Sequence, residues 1–145
     1  MSVTTALQDH HQHCDEDFAN AEEAAQRGDW AACATAFAKL RDDMQCHFHI
    51  EEDVLFAAFE QKTGMTSGPT QVMRHEHRQM LELLKQQETA VQNKDADEFN
   101  GVAETLLVMM QQHNMKEENI LYPMCDQALG GNEDVATRIG QGLHA

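Results

Sequence analysis

The chain has 145 residues, 41% of them hydrophobic, which suits one domain with a real core. Its 25 Asp and Glu outweigh 10 Lys and Arg for a net charge of −15, arguing against nucleic acid and anionic membranes, which favour basic patches. Abundant Ala, Leu, Met, Gln and Glu, with few β-branched runs, predict an all-α chain.

The elements follow from apolar and histidine positions that step by threes and fours. The first helix carries Leu7, His11, Cys14, Phe18, Ala21 and Ala25, and stops at Gly28-Asp29, where Asp29 can cap the next. The second carries Cys33, Phe37, Leu40, Met44, His47, Glu51 and Val54. Gly64 to Pro69 separates it from the third, with Pro69 suited to a first turn. The third carries Met73, His77, Met80, Leu84, Gln87 and Val91. Asp95-x-x-Glu98 then resembles a capping box. The fourth carries Phe99, Ala103, Leu106, Met110, His113, Glu117, Ile120 and Met124, with Pro123 as a possible kink. Asn132 to Gly142 suggests a short closing helix. Short turns between the first and second and the third and fourth helices imply an up-down-up-down antiparallel four-helix bundle over residues 5–128, with 129–145 as a C-terminal extension of one domain.

Cys14, Cys33, Cys46 and Cys125 form no CxxC pair, so a reduced, cytoplasmic chain is expected. Neither a signal peptide nor an apolar run of membrane-spanning length is visible.

One pattern occurs twice. His47-x-x-x-Glu51-Glu52-x-x-Leu55-Phe56 returns 66 residues later as His113-x-x-x-Glu117-Glu118-x-x-Leu121-Tyr122. The same shift carries His11 onto His77, Leu40 onto Leu106 and Met44 onto Met110. It predicts two hairpins related by an approximate two-fold. A histidine and a carboxylate four residues apart share a helix face. His11 lies 18 residues before Asp29 and His47 lies 18 after it; His77 and His113 stand the same way about Asp95. Each is therefore about 27 Å from its turn, and the four meet in one layer. Six polar side chains, His11, His47, Glu51, His77, His113 and Glu117, then converge inside an apolar core. Buried carboxylates without partners are costly, and metal coordination removes that cost. Imidazole and carboxylate without thiolate suit Fe, Mn or Zn. Two carboxylates on facing helices can bridge two ions, and a non-haem di-iron pair is the expected occupant.

These residues closely resemble the hemerythrin-like, or HHE cation-binding, family. His47-Phe48-x-x-Glu51-Glu52 is similar to its second-helix motif, Glu76-His77 to its third and His113-x-x-x-Glu117-Glu118 to its fourth, with His11 as the first-helix histidine. The resemblance implies a di-iron site bridged by Glu51 and Glu117. It also implies binding of O2, NO or an azide-like anion at an open metal position, for sensing, scavenging or delivery. The alternatives are a di-iron peroxidase or NO-reducing enzyme, and an iron donor for iron–sulfur centre repair. Oxygen-carrying members have a further histidine one turn before the third-helix ligand, where this chain has Met73. The nearest replacements are His10, about 100° round from His11, and His75, about 200° round from His77. A water or small anion is the other expectation.

Helical phase turns His13 and His49 outward. Glu52 and Glu118 are expected to be exposed or to orient an imidazole. Cys14 is a small core residue, and Met44, Met80 and Met110 are core filler. Tyr122 falls off the main inward stripe, with a hydrogen bond near the site as the other expectation; Phe56 holds the matching place in the other half.

Overall fold

The stepped stripes become helices throughout the computed structural model, which describes residues 2–144 and has no strand among them. The elements are α1 (Thr5–Gln26), α2 (Trp30–Ile50), α3 (Ala57–Thr63), α4 (Pro69–Gln92), α5 (Ala96–Lys116), α6 (Tyr122–Leu129) and α7 (Glu133–Leu143). A π-helical segment, Glu51–Phe56, joins α2 to α3, and a second, Glu117–Leu121, joins α5 to α6. Among the described residues no helix is long and apolar enough to cross a membrane.

The boundaries have local causes. Asp29 accepts a hydrogen bond from the Ala32 N–H and Asp95 one from the Glu98 N–H, both at 3.1 Å, satisfying orphan donors at the starts of α2 and α5. The expected capping box is only half made, because the Asp95 N–H donates to the Ala90 carbonyl. Pro69 opens α4. Gly64, at φ 76°, ends α3 in the left-handed region that favours glycine. Asn132 caps α7 through the Val135 N–H, so the expected closing helix forms.

Helix α1 packs along α2 and α4 along α5; α2 rests on α4 and α1 on α5. Their inward stripes build two apolar clusters. One holds Cys14, Phe37, Leu40, Met44, Phe48, Met80, Phe99, Leu106 and Met110. The other holds Leu7, Phe56, Phe59, Met73, Leu121, Tyr122 and Cys125, closed by Val135 and Ile139 of α7. Leu40 and Leu106, equivalent in the two halves, are fully buried, and truncating either to Ala would cost about 2–5 kcal/mol. Along each long helix the histidine positions fall between the two clusters. A polar layer is thus sandwiched between two apolar ones.

The π segments reset the stripe. A π turn carries an extra residue, so every side chain beyond it shifts round the axis. The stripe through His113 and Glu117 was expected to continue at Ile120 and Met124. Instead Ile120 is 56% exposed, and Leu121, Tyr122, Cys125 and Leu129 are buried. Pro123 lies in the first turn of α6, directly after the second π segment, where its missing N–H is tolerated. The first π segment contains no proline, so the repeat and not the proline is common to both.

Candidate metal centre

All six candidate ligands meet in the polar layer. His11, His47, Glu51 and Glu117 form one cluster and Glu51, His77, His113 and Glu117 a second, each with one ligand atom per residue within 4.8 Å of the others. All six are buried. Glu51 and Glu117 belong to both clusters.

The imidazoles point Nε2 inward. His11 Nε2 lies 3.0 Å and His113 Nε2 3.3 Å from Glu117 Oε1; His77 Nε2 lies 3.1 Å and His47 Nε2 3.4 Å from Glu51 Oε1. The rings pair across each hairpin at equal spacing, with centroids 4.9 Å apart for both His11–His47 and His77–His113.

The outward nitrogens are also held. Glu118 Oε2 lies 2.6 Å from His11 Nδ1, Glu52 Oε2 2.7 Å from His77 Nδ1, and Glu76 Oε1 2.8 Å from His113 Nδ1. In each pair the Nδ1–H donates to the carboxylate, which fixes the ring's orientation and leaves Nε2 facing the layer. Glu52 and Glu118 therefore take the orienting role, and Glu76, known in the sequence only as part of Glu76-His77, joins them. His47 differs, its Nδ1 lying 2.9 Å from His10 Nδ1. His10 thus backs a candidate ligand and stands outside both buried clusters. His13, His49 and His75 are exposed, as helical phase predicts for the first two.

Tyr122 lies inward, where periodicity alone placed it off the stripe, and makes the hydrogen bond that was its other expectation. Its hydroxyl donates to Glu51 Oε2 at 2.6 Å and lies 3.3 Å from both Glu117 Oε1 and His11 Nε2. The π segment rotates it inward. The signal available in the sequence was the equivalence of Tyr122 to Phe56. The two rings do matching work, with Tyr122 stacked on His11 at 5.6 Å and Phe56 on His77 at 5.9 Å.

Charge in the layer is tightly coupled. Burial lowers the His11 and His77 pKa values, but carboxylate hydrogen bonds and charge overcome it. Glu117, with Glu51 and Glu118, raises His11 from 6.5 to about 9. Glu51 and Glu52, with Glu117, raise His77 to about 9. His113 is raised as well, burial being outweighed mainly by Glu117. Burial would raise Glu51, yet His47, Glu117 and His77 hold it well below the usual carboxylate range. Burial, then the charge of Glu117 and Glu51, pushes the Tyr122 phenol up, so it stays a donor.

The arrangement leaves hydrogen-bonding capacity unused. His47 Nε2, His77 Nε2, His113 Nε2, Glu51 Oε1 and Glu117 Oε2 are buried with no hydrogen-bond partner. Such atoms are expensive to bury. Five of the six candidate ligands contribute one, and all face the shared layer. The donor set fits a pair of cations, with neutral imidazole and carboxylate as ligands and no thiolate among them.

A cavity of about 20 Å³ adjoins His11 and His47 and is otherwise lined by Cys14, Met44, Phe48, Met80, Met110 and Asn114. In the first half of the sequence repeat Phe48 stacks on His77 at 4.1 Å; its equivalent in the second half is Asn114. The smaller side chain leaves the space beside His11.

No curated protein and no solved structure matches the chain. The family model described as hemerythrin HHE cation binding domain matches residues 2–125, which span all six candidate ligands. The chain belongs to the hemerythrin HHE cation-binding domain family.

Proposed function

We propose that this protein is a non-haem di-iron protein that binds O2, NO or a related small ligand for sensing, scavenging or delivery. In this reading the helices form an antiparallel up-down-up-down four-helix bundle with an approximate internal two-fold. His11 and His47 would hold one ion and His77 and His113 the other, with Glu51 and Glu117, common to both clusters, available to both. The observation that carries the reading is the set of five unpartnered buried ligand atoms facing one layer. Zn or Mn would suit the same ligands. The four cysteines are free, which suits the cytoplasm.

Bound iron would supply the redox change and the open coordination position for a diatomic ligand. The chain's own residues do the rest. Glu118, Glu52 and Glu76 orient imidazoles through Nδ1. The Tyr122 hydroxyl orients Glu51. Met44, Met80, Met110 and Phe48 keep the adjoining cavity apolar, and its volume admits about one small molecule.

The test is metal content and the visible spectrum of aerobically purified protein, followed through dithionite, air and azide. About two irons per chain are expected, with a charge-transfer band that bleaches, returns and shifts with azide. Iron-loaded protein that never responds to O2, NO or azide would sink the reading.

One observation favours an enzyme, a di-iron peroxidase or NO-reducing activity. A reacting ligand needs a hydrogen-bond donor to orient it or its metal ligands, and the Tyr122 hydroxyl is a buried donor within the candidate ligand layer. Steady-state turnover of peroxide or NO well above that of free iron separates this reading from plain binding.

A further inference from the structure

A second group of metal-ligating side chains lies outside the buried layer. His10 and His13 of α1 and Asp43 of α2 each place a ligand atom within 4.8 Å of the others. The two rings stack at 5.2 Å, and His13 Nε2 lies 2.9 Å from Asp43 Oδ2. A solvent-facing cavity of about 290 Å³, lined by His10, His13, Asp43 and His144 among others, opens beside them.

The group already attracts a cation. The Lys39 ammonium lies 2.7 Å from Asp43 Oδ2, 3.0 Å from His13 Nε2 and 3.2 Å from Asp17 Oδ1. His13 Nε2 cannot both donate to Asp43 and accept from Lys39. Turned as an acceptor, its lone pair joins those of the carboxylates around one positive charge.

Lys39 does not use up the site. Asp17 is 4% exposed, its Oδ2 has no hydrogen-bond partner, and that atom lies 3.7 Å from His13 Nε2. The Lys39 ion pair engages only the other Asp17 oxygen and leaves Oδ2 facing His13. Two nitrogens with one or two carboxylates suit a divalent first-row ion such as Zn2+, Fe2+ or Co2+. A site this open would hold its ion less tightly than a buried one.

We propose that His10, His13 and Asp43, with Asp17 behind them, form a third cation site that takes a divalent transition-metal ion in place of the Lys39 ammonium. The site is distinct from the buried pair, although His10 Nδ1, 2.9 Å from His47 Nδ1, places it one histidine away.

The test is anaerobic titration with Co2+ alone, read by equilibrium dialysis and the visible d–d bands. Full-length wild type is compared with the double variant His13→Gln, Asp43→Asn, with Lys39→Met, and with the buried-layer variant His77→Gln, His113→Gln. Wild type should bind one more Co2+ than the His13/Asp43 variant, and that ion should be its weakest. Lys39→Met should bind that ion about fivefold more tightly, the scale of one surface ion pair. Equal stoichiometry and affinities in wild type and the His13/Asp43 variant would overturn the proposal. Loss of the weak ion in that variant, with no loss in the His77/His113 variant, would support the third site while removing the buried-pair reading. A measurement needing no variant is NMR of the wild-type imidazoles during Zn2+ titration. The His13 ring resonances should shift with the last equivalent bound, and unmoved His13 resonances would overturn the site.

Discussion

His10 occupies, in the first half of the chain, the place that Glu76 holds in the second. The 66-residue shift that carries His47 onto His113 carries one onto the other. Glu76 accepts from His113 Nδ1 and is itself held by Lys116. His10 meets His47 Nδ1, and burial, with His47 and His13 next, lowers its pKa to about 4, so it is neutral at pH 7. A carboxylate makes the imidazole it backs more basic, whereas a neutral imidazole does so less. The two ends of the candidate centre are therefore chemically unequal although their ligands match.

That inequality predicts an unequal response to Glu76→Gln. The substitution removes the carboxylate behind His113 only. It should weaken one of two bound ions by about 10- to 100-fold and leave the other nearly untouched. Chelator competition on the loaded protein checks this, and an equal loss at both ions would contradict it.

The metal-free protein should lose stability as pH rises from neutral. His11 and His77 have pKa values raised to about 9 in the folded chain against an ordinary 6.5. Groups raised in this way stabilise fully below 6.5, and the contribution disappears as pH climbs through about 9. Melting followed by circular dichroism should show Tm falling by about 5 °C or more between pH 6 and 9. Metal binding would replace those protons, so loading at pH 7 should release about two per chain. A flat Tm profile and no proton release would count against this account of the layer.

Tyr122→Phe should cost about 2 kcal/mol in urea unfolding, the usual worth of a buried hydrogen bond to a charged group, because Glu51 Oε2 loses its donor. The ring itself should fit, since Phe56 fills the equivalent place against His77. If peroxide or NO turnover exists, this variant should slow it while keeping its metal content. Unchanged turnover would remove the hydroxyl from that chemistry.

Asn114→Phe should close the cavity beside His11. It places there the residue found at the equivalent position, Phe48, whose ring stacks on His77 at 4.1 Å. Iron content should be unchanged and the azide-dependent spectral change lost. An undiminished azide response would show that small ligands reach the metals by another face.

Every inward position named on α1 and α4 is buried, because a straight α-helix keeps its 3.6-residue period from Leu7 to Ala25 and from Met73 to Val91, while buried Asp17 went unnamed because its side chain is charged. The convergence of the candidate ligands followed from the same period and the 66-residue repeat. Ile120, Met124 and Tyr122 were misread because each lies beyond a carboxylate where the helix widens to a π turn, and nothing in side-chain polarity reports that change of pitch. Glu76 and His10 were hidden for another reason. Each works through contact with a candidate ligand on another helix, and a single helix's phase carries no record of its neighbour.

The two π segments also decide where this chain can change length. Loss of any one residue from 51–56 would return that stretch to ordinary α-helix. Phe56 and Phe59 would then swing about 100° out of the core. The same deletion at 117–121 would carry Tyr122 and Cys125 away with it. By contrast, residues 64–67 are exposed and make no part of either apolar cluster. A codon gained or lost there changes only a connection. A codon lost between 52 and 56 would turn the core side chains beyond it away while leaving every candidate ligand in the gene.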